Sequence, residues 1–276
     1  MNTATVQQPR TSEDVFKDHA VVVKDRWLAQ RRALLAREKE LTRRGDQIAS
    51  ERRALPWLHV AENYVFDSPE GPRALADLFQ GRRQLLVQHF MLGPGWEAGC
   101  RSCSFMADHI DGIQIHLEQR DMSFVAVSRA PIEEIERFRQ RMGWKFDWVS
   151  SHRNGFNHDF AVSFTPEELA QEEVFYNFGM TTFKHDELPG LSVFYKDDAG
   201  TVFHTYSAYG RGVEAMMGAY RLIDLLPKGR DEAAPNSGMS WVRHHDRYDT
   251  APKPAAAAHE GCCSAAAAAA AAAAKA

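Results

Sequence analysis

Gln84-Leu85-Leu86-Val87-Gln88-His89-Phe90-Met91, then Leu92-Gly93-Pro94-Gly95, then Cys100-Arg101-Ser102-Cys103: the fold turns on this stretch. An apolar run of this length, closed by a Gly-Pro-Gly loop, reads as a strand buried on both faces. The two cysteines follow at the start of a helix. Cys103 opens a stripe continued by Met106, Ile110, Ile113 and Leu117 at helical spacing, so a helix to about Arg120 is expected, with Cys103 on its core side. Cys100 is left at the mouth of the turn and Cys103 is shielded.

Working outward, Met122 to Val127 forms a second strand, and Pro131 suits the first turn of a helix whose face is Ile132, Ile135, Phe138 and Met142. Residues 143–189 are aromatic-rich and less regular, with a local helix start at Thr165-Pro166-Glu167-Glu168. Leu191 to Tyr195 and Thr201 to Tyr206 flank Asp197-Asp198-Ala199-Gly200, a hairpin signal. Val213 to Leu226 reads as a closing amphipathic helix stopped by Pro227. Upstream, Tyr64-Val65-Phe66 and the segment after Gly71 suggest a small hairpin, and Ala74 to Phe79 a helical piece closed by Gly81. The order predicts an α/β fold, a mixed central sheet flanked by helices: the first two strands pair parallel and the late hairpin antiparallel.

Three regions are expected: an N-terminal helical extension over 1–55, the α/β domain over 56–250, and a low-complexity alanine-rich tail over 251–276. In the first, Thr11 or Ser12 can cap a helix, and Trp27, Leu34, Leu41, Ile48 and Leu55 recur every seven residues. One apolar position per heptad falls short of a coiled coil, because Arg37, Arg44 and Glu51 fill the second seam position. The stripe therefore reads as laid on the protein's own domain; the alternative is a homo-oligomer joined through this helix. An aromatic and charged island over 240–248 reads as a segment docked on the same domain.

The bulk numbers exclude several classes. Lys+Arg 33 against Asp+Glu 37 gives a formal charge of −4, with no general attraction to nucleic acid or an anionic membrane. No apolar run is long enough to span a bilayer, and Met1 to Arg10 lacks the apolar stretch of a secretory signal, so a cytoplasmic protein is expected. Its four cysteines are then expected to be reduced and not to form a disulfide scaffold. Cys262 and Cys263 read as two exposed residues of a flexible tail; a tail dithiol exchanging with Cys100 is the alternative.

The chemistry rests on Cys100 and Cys103. Free N–H groups at a helix start stabilise a thiolate, and Arg101 adds a cation while Glu97 opposes it, so Cys100 should have a lowered pKa. An exposed nucleophile and a shielded resolving thiol suit thiol–disulfide exchange, with no cofactor. The same spacing also supplies two zinc ligands. In that alternative His89 approaches from the strand to complete a Cys100, Cys103 and His89 set for copper or zinc. His109 lies about 240° round the helix from Cys103 and points elsewhere.

The strings Tyr64-Val65-Phe66-Asp67, Leu85 to Phe90, Gly95-Trp96-Glu97-Ala98-Gly99-Cys100-Arg101-Ser102-Cys103-Ser104 and Ala107-Asp108-His109-Ile110-Asp111-Gly112 resemble a thioredoxin-like bacterial family of predicted dithiol–disulfide oxidoreductases, DUF899. Val127 to Pro131, Arg141 to Trp144, Phe203 to Ser207 and Trp241 to Tyr248 extend the resemblance over roughly 20–250. It implies a thioredoxin-like fold and a redox role toward a disulfide-containing protein or a small thiol, without naming a substrate. The chain departs from thioredoxin itself. Gly99 stands where a tryptophan precedes the first cysteine, with Trp96 four back, and the middle pair is Arg101-Ser102. Pro189 is the nearest candidate for the cis-proline opposite the dithiol. The buried acid behind the second cysteine is replaced by Gln88 or His89, and His89 reads either as the base or as a core histidine with one satisfied hydrogen bond. A second resemblance, to peroxiredoxin-type thiol peroxidases, comes from the hairpin before the first strand, but their Thr-x-x-Cys would need a threonine where Glu97 stands.

Overall fold

The structure, a computed structural model, describes residues 17, 19–232 and 239–248. The Thr11 or Ser12 cap, the alanine tail, Cys262 and Cys263 lie outside them. The chain divides into two compact units, 1–246 and 247–276, and only Arg247 and Tyr248 of the second are described.

Strand β4 (Gln84–His89) lies at the centre of the first unit because its apolar run can be covered on both faces. The six-stranded sheet adds β1 (Leu58–His59), β5 (Met122–Ser128), β6 (Asp147–Ser150), β9 (Gly190–Lys196) and β10 (Val202–Tyr209) in the order β1-β10-β9-β4-β5-β6. Strand β4 runs parallel to β5, with His89 opposite Val127, and antiparallel to β9, with His89 opposite Gly190. The β9–β10 hairpin turns where the Asp197 carboxylate accepts the N–H groups of Ala199 and Thr201 and Gly200 takes a φ of 85°. This is the mixed sheet of a thioredoxin-like fold. Two short antiparallel pairs stand apart from it: β2 (Val65–Phe66) with β3 (Arg73–Ala74), and β7 (Val174–Tyr176) with β8 (Gly179–Thr181).

Alternation along β4 divides the core in two. Leu85 and Val87 join Phe66, Phe79, Phe156 and Phe194 on one face. Phe90 and Leu92 join Cys103, Met106, Phe124 and Trp148 on the other.

Three helices depart from expectation. Helix α1 (Lys24–Arg53) runs unbroken through Gly45 and buries none of its residues; Trp27, Leu34, Leu41 and Ile48 are all exposed. Its stripe is not laid on the protein's own domain. The helix after the dithiol stops at Ala107: α2 (Arg101–Ala107) gives way to turns before α3 (Gln114–Glu118). There the Asp111 carboxylate accepts the N–H groups of Lys145 and Phe146, which ties the turn to the neighbouring loop and leaves Ile113 exposed. Helix α4 (Ile132–Met142) follows as expected, with Ile135, Phe138 and Met142 buried, and two short helices, α5 (Phe156–Asp159) and α6 (Pro166–Ala170), lie in the aromatic-rich stretch. The closing helix is also split, into a 3-10 stretch over Gly210–Met216 and α7 (Gly218–Ile223), where His109 accepts the Ala219 N–H at 3.0 Å. No helix among the described residues is long and apolar enough to cross a membrane.

Candidate functional site

Strand β4 delivers the chain to a loop that is closed on both sides. Gly95 turns with a φ of 78°, and its N–H meets the Glu134 carboxylate at 3.0 Å. Gly99 passes so close to Phe90 and Phe138 that an added Cβ would stand 2.5 and 2.8 Å from their rings. A tryptophan before the first cysteine has no room here, which explains that departure from thioredoxin. The Gly99 carbonyl accepts a hydrogen bond from His244 Nε2 at 2.8 Å, and His244 Nδ1 faces Arg141. Arg141 also grips Asp246 through two hydrogen bonds of 2.9 Å. The 241–246 segment therefore braces the dithiol loop, a role that its sequence does not announce.

Cys100 caps α2, its own N–H bonded to the Met91 carbonyl at 2.9 Å and its carbonyl to the Ser104 N–H. Both thiols are free, with Cys100 half-buried and Cys103 fully buried. The Cys103 thiol donates to the Cys100 sulfur. With the N–H groups of Cys103 and Ser102 and the Ser102 hydroxyl it outweighs burial and lowers the Cys100 thiol from 9.0 to about 6. Arg101 is exposed and is not among these groups, so the expected cation effect is replaced by local hydrogen bonds. Burial, then the bond to Cys100, pushes the Cys103 thiol well up, against a Met91 N–H that favours its thiolate.

The structure separates the remaining predicted residues. Gln88 reaches the sulfur side, its Nε2 donating to the Cys103 carbonyl at 3.0 Å. His89, one residue on, faces the opposite side of the sheet and packs against the rings of Phe156 and Phe160, each at 5.5 Å. It bonds Ser192 there, so it neither serves as a base for Cys103 nor joins the two sulfurs as a metal ligand; strand alternation is the reason. Trp96 stands edge-on to His185 at 5.6 Å. Glu97 is exposed in a shallow cleft with Arg137 and Arg141. Pro189 lines the same cavity as the cysteines, its carbonyl accepting from the Tyr176 hydroxyl at 2.7 Å, and its peptide bond is trans, not cis.

That cavity, about 1050 Å³, opens beside both sulfurs. Its lining includes Tyr176, Phe183 and His185 from the irregular stretch, and Met217 and Arg230 from the C-terminal elements. The aromatic density of 143–189 was the only sequence signal for them.

No curated protein matches the chain. Among solved structures it is similar to peroxidoxin BcpB from Mycobacterium tuberculosis, at 12% identity and a TM-score of 0.39, over 59% of this chain and 93% of that one. It is similar to peroxiredoxin Q from Xanthomonas campestris at 12% identity and a TM-score of 0.40, over 62% and 98%. A yeast mitochondrial 1-Cys peroxiredoxin matches at 17% identity and a TM-score of 0.35, over 62% and 78%. Residues 16–248 match the family model described as bacterial protein of unknown function (DUF899), and the chain belongs to that family.

Proposed function

We propose that the chain is a dithiol–disulfide oxidoreductase in which Cys100 attacks and Cys103 resolves. The observation that carries this reading is the division between the two sulfurs: Cys100 on a cavity wall with its thiol lowered to about 6, Cys103 buried with its proton held toward Cys100. The Cys100 thiolate attacks a substrate disulfide, forming a mixed disulfide and expelling one thiolate. Cys103 then attacks the Cys100 sulfur, its proton passes to the second departing sulfur, and a Cys100–Cys103 disulfide forms as the substrate gains two electrons. Gln88 does not titrate and its amide is bonded to the Cys103 carbonyl, so the Met91 N–H is the group that favours the Cys103 thiolate during this step.

The test is mixed-disulfide trapping by mass spectrometry together with the rate of disulfide reduction under dithiothreitol. Cys100→Ser should lower the rate on the order of a thousandfold, and Cys103→Ser should accumulate the adduct on Cys100. A Cys100→Ser protein that reduces disulfides at the parent rate sinks the reading.

A further inference from the structure

The apolar part of the cavity lining is methionine-rich: Met91, Met106, Met217 and Met239, with Leu188 and Val213. Methionine is flexible and polarisable, and such a lining adapts to varied apolar shapes. Most of the charges on the same cavity are paired with one another, the exposed Lys228 apart, and the carboxylates of Glu214, Asp224, Asp231 and Glu232 outnumber the cations Arg211, Lys228 and Arg230. Arg230 bonds Asp224 twice at 2.8 Å, reaches Glu214 at 3.3 Å and lies 3.9 Å over the Tyr220 ring. Arg211 holds the same Glu214 at 2.7 Å. Glu232 Oε1 accepts from the Tyr220 hydroxyl, the Met239 N–H and the Trp241 indole at 2.7, 2.9 and 2.8 Å. A carboxylate-bearing substrate would meet this excess of negative charge and would have to break these pairs to reach either guanidinium. At about 1050 Å³ the space lies at the top of the range for small-molecule pockets, roughly 300–1000 Å³.

Resting on the dithiol reading above, we infer that the substrate is a small disulfide with an uncharged apolar body seated in this cavity, not a carboxylate-rich peptide disulfide or a folded protein's surface disulfide. The exchange is the one already written: RS–SR takes two electrons from the dithiol, leaves as two RSH, and an external dithiol restores Cys100 and Cys103.

The experiment oxidises the pre-reduced full chain with dimethyl, diethyl, dipropyl and dibutyl disulfide, glutathione disulfide and insulin. Each second-order rate is divided by that of free dithiothreitol with the same compound, which removes intrinsic reactivity. The normalised rate should climb about threefold to fourfold for each methylene the cavity buries, with glutathione disulfide and insulin at least about tenfold below dibutyl disulfide. Phe183→Asp places a charge on the exposed lip of the cavity, where folding is insensitive to it, and should flatten the series, lowering the dibutyl rate about tenfold. A flat series in the parent, or one led by glutathione disulfide or insulin, overturns the apolar assignment while the dithiol reaction stands. Oxidation by none of the compounds overturns both.

Discussion

Gln88 and His89 are neighbours on one strand, both fully buried, and they serve opposite halves of the molecule. On the Gln88 side the core stops short of closing, and the gap is the cavity beside Cys100 and Cys103. On the His89 side the polar atoms bond one another. Ser192 Oγ lies 2.8 Å from His89 Nε2 and 2.8 Å from Ser207 Oγ, which lies 2.7 Å from His204 Nε2. The Tyr206 carbonyl, 3.0 Å from His204 Nε2, can only accept, so that nitrogen carries its proton. His89 Nδ1 is buried with no partner. The difference teaches that burial alone does not mark reactivity. One face keeps a nucleophile beside open space; the other holds a stack of rings together with hydroxyls.

The largest expected effect that tests this division is on stability. His89→Ala leaves a cavity against the Phe156 and Phe160 rings and takes one of two partners from the Ser192 hydroxyl, so it should cost about 2–4 kcal/mol, read as a shift in the urea midpoint. Well below the midpoint, the rate of disulfide reduction should stay within about twofold of the parent, because His89 does not touch the sulfurs. A His89→Ala protein that is stable but inactive breaks the comparison.

The second effect is on pH, and the two faces answer in different quantities. Burial, with a contribution from His204, lowers His89 from 6.5 to about 3, and burial lowers His204 as well. Between those values the unfolded chain binds a proton that folded His89 does not, so stability falls as the pH drops from 6.5 toward 3. The slope is about 1.4 kcal/mol per pH unit for one group, to which His204 adds in the same direction. Reactivity follows Cys100 instead. The thiolate fraction rises with pH through about 6 and levels above it. Urea melts and iodoacetamide alkylation rates measured from pH 4 to 8 should separate the two, and an alkylation midpoint near 9 would remove the activated thiol.

How much of this was legible follows from the range of each signal. Strand β4, the dithiol, β5, α4 and the β9–β10 hairpin are written in local periodicity and turn chemistry, and they stand where the residues place them. Strand β6 was missed because Asp147-Trp148-Val149-Ser150 is too short to alternate and becomes a strand only by pairing with β5. The break after Ala107 depends on Asp111 being held by Lys145 and Phe146, a contact made across 34 and 35 residues. Period-two alternation does dictate that Gln88 and His89 face apart. It does not say which one meets Cys103, since that depends on where α2 packs.

The smallest effect is expected at Gln88, and it is informative for being small. Its amide donates one hydrogen bond to the Cys103 carbonyl, worth about 1 kcal/mol net, while its buried Oε1 has no partner and costs a comparable amount. Gln88→Leu removes both atoms and keeps the volume, so the two terms offset and stability should move by less than about 1 kcal/mol. Because an amide does not titrate, the lifetime of the mixed disulfide should also stay unchanged. A marked loss of stability, or a longer-lived adduct, would mean that the Gln88 oxygen is bonded during turnover and that Gln88 positions the thiol of Cys103 for attack.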